Sequence, residues 1–240
     1  MKVFLAAGHG GEDPGSIGAN GTREADEVIK VVDAATAFLK RQDLKGHEII
    51  VVPHQYALQA GVQYINQHAN ESEDICIEVH LNNNKGNPGT GIESYTGNRL
   101  LTDIMHQELV RVMGLADRGV KEGMWLYFNN TSKPASTLVE LGFVNNPQDL
   151  ITIRQKGALA LASGIYKYLT GEQLQIPAVP TEENPVKNIS VLITATVPIR
   201  VRNTPRIQEG NQIRSVAPGA LVGVEKMVQG DAPAGSQNNW

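Results

Sequence analysis

Short apolar segments with the spacing of β-strands alternate with longer segments of helical spacing throughout residues 1–170. The predicted strands cover residues 2–7, 48–52, 75–81, 92–96 and 137–141. The predicted helices cover residues 23–41, 55–70, 100–113 and 155–169. Strands that alternate with helices are typical of domains in which helices cover a mostly parallel sheet. We therefore predict an α/β fold with a mostly parallel sheet flanked by helices.

The sequence changes character after the last predicted helix. Residues 173–188 contain three prolines and no periodic apolar pattern, which predicts an extended linker. Residues 189–240 contain strand-like runs at 190–197 and 221–228, separated by glycine, proline and asparagine. These patterns predict one large domain at 1–172 and a small all-β module at 189–240.

Composition and charge argue against several classes of protein. No apolar segment approaches the roughly 20 residues needed to cross a bilayer, so we expect no membrane span. The formal net charge of −4 argues against nucleic acid as a partner. The single cysteine, Cys76, lies in an apolar strand pattern, which predicts a buried thiol and excludes an internal disulfide. The N-terminal apolar run is shorter than the roughly 7 to 15 residues of a signal-peptide core, which predicts synthesis in the cytoplasm without an export signal.

Four side chains occur where the predicted topology would gather functional groups. His9 follows the first strand, and His80 and Glu140 lie near the ends of later strands. Glu24 opens the first helix, at the same edge of a parallel sheet, where ligands usually bind. Two histidines and a carboxylate are a common ligand set for catalytic zinc, and a further carboxylate can act as general base. The spacing alone is not diagnostic, because no compact motif such as His-Glu-x-x-His is present.

Several blocks of sequence follow one another in a recognisable order. They are AGHGGEDPG at 7–15, Glu24, EVHLN at 78–82, GIE at 91–93, RGVK at 118–121, KPA at 133–135 and LVELGFVNNP at 138–147. Together these blocks resemble the zinc-dependent N-acetylmuramoyl-L-alanine amidases of the amidase-3 family. The resemblance implies a zinc-exopeptidase type of α/β domain, in which His9, Glu24 and His80 bind one Zn²⁺ ion and Glu140 is the catalytic acid/base. It also implies that the substrate is peptidoglycan, cut between the lactyl group of N-acetylmuramic acid and L-alanine.

The chain departs from the family pattern at Glu78, where a small residue is often found. Glu78 lies on the same strand face as His80, so it could support that histidine, play a structural role, or replace Glu24 as a ligand. Side chains that could line a substrate groove, or simply pack, are Asn82, Asn83, Trp125 and Tyr127. Asp13 is a minor alternative ligand within a turn. Surface or packing roles are expected for the histidines outside the matching blocks, which are His47, His54, His68 and His106.

The C-terminal segment resembles another known domain in two places. Ile199 to Pro205 and Asn238 to Trp240 resemble parts of bacterial SH3-like domains, which commonly bind cell-wall peptides. That resemblance predicts further strands beyond Trp240. The module at 189–240 is therefore expected to be either a truncated or a reduced SH3-like wall-binding domain.

Other functions would use the same residues. A zinc peptidase could cut within the peptidoglycan stem peptide, and a non-catalytic wall-binding protein could retain a relict site. Glu140 argues against the second alternative, because a binding module needs no general base. The predicted absence of an export signal suits a phage or prophage endolysin released through a membrane lesion, or an enzyme that acts when the mother cell lyses. Of these two, we favour the endolysin. The host, the wall chemotype and the oligomeric state are left open by the sequence.

Overall fold

The computed structural model divides the chain into two compact units, Met1–Leu174 and Gln175–Trp240. In the first unit it describes residues 1–18, 21–56, 58–70, 73–84, 89–123 and 135–174. In the second unit it describes residue 175 and the strands at 191–194, 199–202, 212–216 and 221–224. The predicted linker at 173–188 lies mostly outside the described residues, so its extended structure stays a prediction.

The first unit is a six-stranded sheet with helices on its faces. Its strands are β1 (Lys2–Ala7), β2 (Glu48–Val51), β3 (Ile75–Asn82), β4 (Ile92–Thr96), β5 (Asp117–Glu122) and β6 (Ala135–Phe143). Its helices are α1 (Glu24–Leu39), α2 (Leu58–His68), α3 (Arg99–Met113), α4 (Pro147–Thr152) and α5 (Ala158–Thr170). Residues Ile153–Gly157 form a π-helical turn that joins α4 to α5. The predicted α/β class is confirmed.

The strand order in the sheet is β2-β1-β3-β6-β4-β5. β1 pairs in parallel with β2 and β3, and β3 pairs in parallel with β6. β4 is antiparallel to β6, and β5 is parallel to β4. The sheet is therefore mostly parallel, as expected, but its last two strands run in the opposite direction to the first four.

Two elements of this unit were not predicted. β5 has the sequence DRGVKE, in which four residues are charged and none is fully buried, so it lacks the alternation of apolar side chains that marks a half-buried strand. α4 is too short to show helical periodicity, although its start has a clear local signal. The Asn146 side chain accepts hydrogen bonds from the backbone N–H groups of Gln148 and Asp149, and Pro147 occupies the first turn.

The two faces of the sheet differ in composition. Val3 and Ile77 lie on a face that packs against α1, α3 and α5 in the larger apolar core. On the opposite face, Phe4 and Cys76 pack with Ile65 of α2 in a smaller core. Cys76 is buried as predicted, and burial raises the pKa of its thiol. Because side chains alternate along a strand, Glu78 and His80 of β3 lie on the same face as Cys76, closer to the carboxyl edge of the sheet.

The second unit contains short strands that pair in antiparallel fashion. β7 (Val191–Thr194) pairs with β10 (Leu221–Val224), and β8 (Ile199–Arg202) pairs with β9 (Gln212–Val216). The described backbone here is therefore all β, and its SH3-like character stays a prediction. No helix among the residues described in either unit has the length and apolar character needed to cross a bilayer.

Candidate metal site at the carboxyl edge of the sheet

His9 lies in the glycine-rich loop that follows β1. Its Nδ1 is 2.8 Å from Asp13 Oδ2, and Asp13 also accepts a hydrogen bond from the Gly15 backbone N–H. Asp13 therefore fixes the ring through one nitrogen and leaves Nε2 directed toward Glu24, at 3.5 Å from Oε1. Gly8 is required beside it, because a Cβ at that position would lie 2.1 Å from the ring of His80.

Glu24 is the first residue of α1, and its side chain is buried. Oε2 accepts a hydrogen bond of 2.9 Å from the Ser16 backbone N–H, and Oε1 accepts one of 2.9 Å from the Leu81 backbone N–H. Oε1 also lies 3.0 Å from His80 Nδ1. Burial alone would raise the pKa of Glu24, but the hydrogen bond with His80 and the charges of His80 and His9 lower it. The carboxylate is thus held ionised and in one orientation.

His80 lies near the end of β3, between two carboxylates. Its Nδ1 faces Glu24, and its Nε2 is 3.2 Å from Oε1 of the buried Glu78. Burial alone would lower the pKa of His80, but the hydrogen bonds with Glu24 and Glu78 raise it well above its usual value. The ring is therefore oriented through both nitrogens, in a surrounding that favours positive charge.

These three residues bring together one possible ligand atom each. The nitrogens of His9 and His80 and a carboxylate oxygen of Glu24 all lie within 4.8 Å of one another. The two rings are perpendicular, with their centroids 4.8 Å apart. Nitrogen and carboxylate donors in this number suit a divalent metal such as zinc. Glu78 is not a member of this group. It contacts Nε2 of His80, whereas Glu24 contacts Nδ1.

Glu140 of β6 lies directly opposite His80 in the register of the sheet. Its Oε2 is buried and, within the described part of the chain, has no hydrogen-bond partner. Burial raises the pKa of Glu140 to about 7; His80 opposes this rise, and the nearby carboxylates of Glu24 and Glu93 add to it. A carboxylate with this pKa and one oxygen without a described partner can take up and release a proton near neutral pH.

Glu93 of β4 forms a further charged cluster next to this site, to which the sequence had assigned no role. Its carboxylate accepts hydrogen bonds from Asn82 Nδ2 at 2.7 Å, Tyr95 Oη at 2.9 Å, Arg118 Nε at 2.8 Å and Lys121 Nζ at 2.5 Å. Burial alone would raise the pKa of Glu93, but the hydrogen bonds from Lys121, Arg118 and Tyr95 lower it. The Asn82 amide, considered above for substrate contact, is thus engaged with this carboxylate.

The remaining histidines lie outside the candidate metal group. His54 pairs with Asp33 at 2.8 Å, and His68 lies 2.7 Å from the Tyr64 carbonyl. His106 links Ser94 and Asp117 in a chain that superficially resembles a hydrolytic triad. Ser94 has no exposed surface, so it cannot act as a nucleophile on an external substrate. Trp125 and Tyr127 lie outside the described residues, so their place near the groove stays a prediction.

Comparison with known sequences identifies relatives of the first unit. The model of a family described as N-acetylmuramoyl-L-alanine amidase matches residues 3–170. The uncharacterized protein YqiI of Bacillus subtilis is 32% identical over an alignment 179 residues long, which covers 69% of this chain and 84% of that protein. The N-acetylmuramoyl-L-alanine amidase CwlM of Bacillus licheniformis is 30% identical over 62% of this chain and 59% of its own length. An endolysin of Bacillus phage SPP1 is 30% identical over 65% of this chain and 60% of its own length. The match thus spans about three fifths of the length of each of the last two proteins.

Comparison with solved structures supports the fold. An N-acetylmuramoyl-L-alanine amidase from Clostridium difficile 630 superposes with a TM-score of 0.60 at 24% identity, covering 70% of this chain and 93% of that one. The catalytic domain of CwlV from Bacillus (Paenibacillus) polymyxa gives a TM-score of 0.59 at 22% identity, covering 70% and 98%. At these identities the likeness establishes the architecture of the sheet and helices.

The contact between Glu78 and His80 gives a testable prediction. Carboxylates that hold the far nitrogen of a metal-binding histidine fix its orientation, and their loss typically weakens metal binding by about 10- to 100-fold. We expect Glu78→Ala to weaken Zn²⁺ affinity by such a factor, measured by competition with a chromophoric chelator. Glu78→Gln keeps an oxygen that can accept a hydrogen bond from the His80 Nε2–H group. Its Zn²⁺ affinity should therefore lie between those of the wild type and Glu78→Ala. The exposed Glu73→Ala is the matched control, and unchanged affinity in Glu78→Ala would contradict the orienting role.

Proposed function

The chain belongs to the N-acetylmuramoyl-L-alanine amidase family, and from this we propose that it is a peptidoglycan hydrolase cutting the amide bond between N-acetylmuramic acid and L-alanine. The observation that supports this most directly is the convergence of His9, Glu24 and His80 within 4.8 Å, with the acid Glu140 on the neighbouring strand. This is the arrangement that metal-assisted hydrolysis of an amide requires.

We propose one Zn²⁺ ion as the cofactor, held by His9, Glu24 and His80. Bound there, zinc would polarise the scissile carbonyl and acidify water at neutral pH. Hydrogen bonds within the protein orient the proposed ligands without metal. Asp13 holds one ring nitrogen of His9 and leaves the other available, while backbone N–H groups fix both oxygens of Glu24. Such prior orientation reduces the reorganisation that metal and substrate binding would otherwise need.

Glu140 is proposed to move the proton. In hydrolysis a new C–O bond forms at the lactyl carbonyl and the C–N bond to L-alanine breaks. Glu140 would accept a proton from the attacking water and deliver one to the departing amine, leaving a lactyl carboxylate and a free alanine N-terminus. Its buried Oε2 without a described partner and its pKa near 7 suit both transfers.

The bond that is cut distinguishes this proposal from its closest alternative. Purified peptidoglycan digested with the protein should release peptides with a free N-terminal L-alanine, identified by mass spectrometry. New ends within the stem peptide would instead indicate a zinc peptidase. Walls that remain uncut in the presence of Zn²⁺ would indicate a binding protein without activity.

Replacement of Glu140 tests the proton-transfer role. Glu140→Gln keeps the size of the side chain but cannot accept a proton, so we expect kcat to fall by at least about 100-fold. Its zinc content, measured by atomic emission, should stay equal to that of the wild type because Glu140 is not a proposed ligand. The exposed Glu48→Gln at the far edge of the sheet is the control. A Glu140→Gln variant that cleaves at the wild-type rate would refute the assignment.

We propose that residues 189–240 form an SH3-like module that binds the wall, and the antiparallel pairing of β7–β10 is compatible with this. The full chain should therefore co-sediment with purified cell walls more strongly than a chain ending at Leu174. Equal retention of the two chains would contradict the proposal. An endolysin-like route, in which the protein is made in the cytoplasm and reaches the wall after release, stays a prediction.

A further inference from the structure

Two cationic side chains of β5 contact the same carboxylate oxygen. Arg118 Nε lies 2.8 Å and Lys121 Nζ 2.5 Å from the same atom, Glu93 Oε2. The Glu93 side chain is 3% exposed, whereas Arg118 and Lys121 are 38% and 40% exposed. One buried negative charge is thus matched by two half-exposed positive charges, so the cluster presents an excess positive charge to solvent.

Arg118 has side-chain donors that none of the described residues uses. Only its Nε is used by Glu93, and within the described residues its terminal amino groups form no hydrogen bond. Its guanidinium carbon lies over the Phe143 ring, 5.0 Å from the ring centre, which is a cation–π contact that helps to hold the group in place. A guanidinium that is oriented and has free donors is suited to bidentate recognition of a carboxylate.

This cluster lies at a defined distance from the proposed scissile bond. Glu93 is paired with Glu140, which is paired in turn with His80. Neighbouring strands are about 4.8 Å apart, so the backbone of Glu93 lies roughly 10 Å from that of His80. An extended peptide advances about 3.3 Å per residue, so the residue after L-alanine covers the span from roughly 3 to 7 Å beyond the scissile carbonyl. A carboxylate on that residue can therefore reach Arg118.

We propose that Arg118, oriented by Glu93 and Phe143 and assisted by Lys121, binds a free carboxylate on the stem-peptide residue that follows L-alanine. This inference rests on the proposed amidase function and adds a specificity subsite to it. The subsite selects substrates in which that carboxylate is free over those in which it is converted to a carboxamide. A carboxamide is uncharged and presents one oxygen rather than two, so it cannot pair with both arms of the guanidinium.

The test uses a pair of synthetic muramoyl peptides that differ only in this group, carboxylate or carboxamide. For the wild type we expect kcat/KM to be roughly tenfold or more higher for the carboxylate, expressed mainly in KM, as for a charge-assisted hydrogen bond at a half-exposed site. In Arg118→Gln the ratio should fall to about one. Arg118→Lys keeps the positive charge but loses the paired donors of the guanidinium. Its kcat/KM ratio should therefore lie between the ratios of the wild type and Arg118→Gln. Arg99→Gln, an exposed arginine of α3, should keep the wild-type ratio.

The outcomes separate the two proposals. A wild type that cleaves both peptides with equal kcat/KM refutes the carboxylate subsite but leaves the amidase function standing. A wild type that cleaves neither peptide in the presence of Zn²⁺ refutes the function, and the subsite with it. If circular dichroism shows that Arg118→Gln does not fold, the test rests on the kcat/KM ratios of the wild type and Arg118→Lys. Equal ratios in these two proteins would then refute the role of Arg118. A preference that survives in a folded Arg118→Gln would assign the discrimination to another residue.

Discussion

The buried carboxylate of Glu24 joins the elements on which the candidate site depends. Its two oxygens accept hydrogen bonds from the backbone N–H groups of Ser16, in the loop after β1, and Leu81, at the end of β3. The same group contacts His80 and lies close to His9. A buried carboxylate is costly unless it is hydrogen-bonded, so these contacts must form together when the domain folds. The loop, the first helix and the central strand are thereby fixed relative to one another through one side chain.

The charge balance around Glu24 gives an independent reason to expect a cation. Glu24, Glu78 and Glu140 are grouped at this edge of the sheet, with His80 as the cationic partner that contacts two of them. Glu93, on the next strand, is compensated by its own cations from β5. Because burial and the neighbouring carboxylates disfavour ionisation of Glu140, a divalent ion beside it would relieve the excess negative charge. Metal binding should therefore also stabilise the folded domain, as any ligand specific for the native state does.

The parts of this structure that sequence could predict are those that follow from parallel strands. The alternation of strands and helices indicated the class of the fold, and the carboxyl edge of β1 and β3 indicated where His9 and His80 would meet. The structure brings these two residues and Glu24 together, and it places Glu140 beside His80. The roles of all four as ligands or acid remain proposals. β5 is not predicted because a charged, partly exposed edge strand has no apolar periodicity to detect.

The reversed strands explain why the charged cluster at Glu93 was not anticipated. Parallel strands bring the residues at their ends to the carboxyl edge of the sheet, so the sequence predicts functional residues at strand ends. β4 runs opposite to β6, so Glu93, the second residue of β4, is the one that reaches the level of Glu140. β5 is parallel to β4, and its second residue, Arg118, is brought to the same level. At this edge the first residues of the reversed strands β4 and β5 therefore lie beside a candidate metal site whose residues come from the loop after β1, the start of α1 and the end of β3.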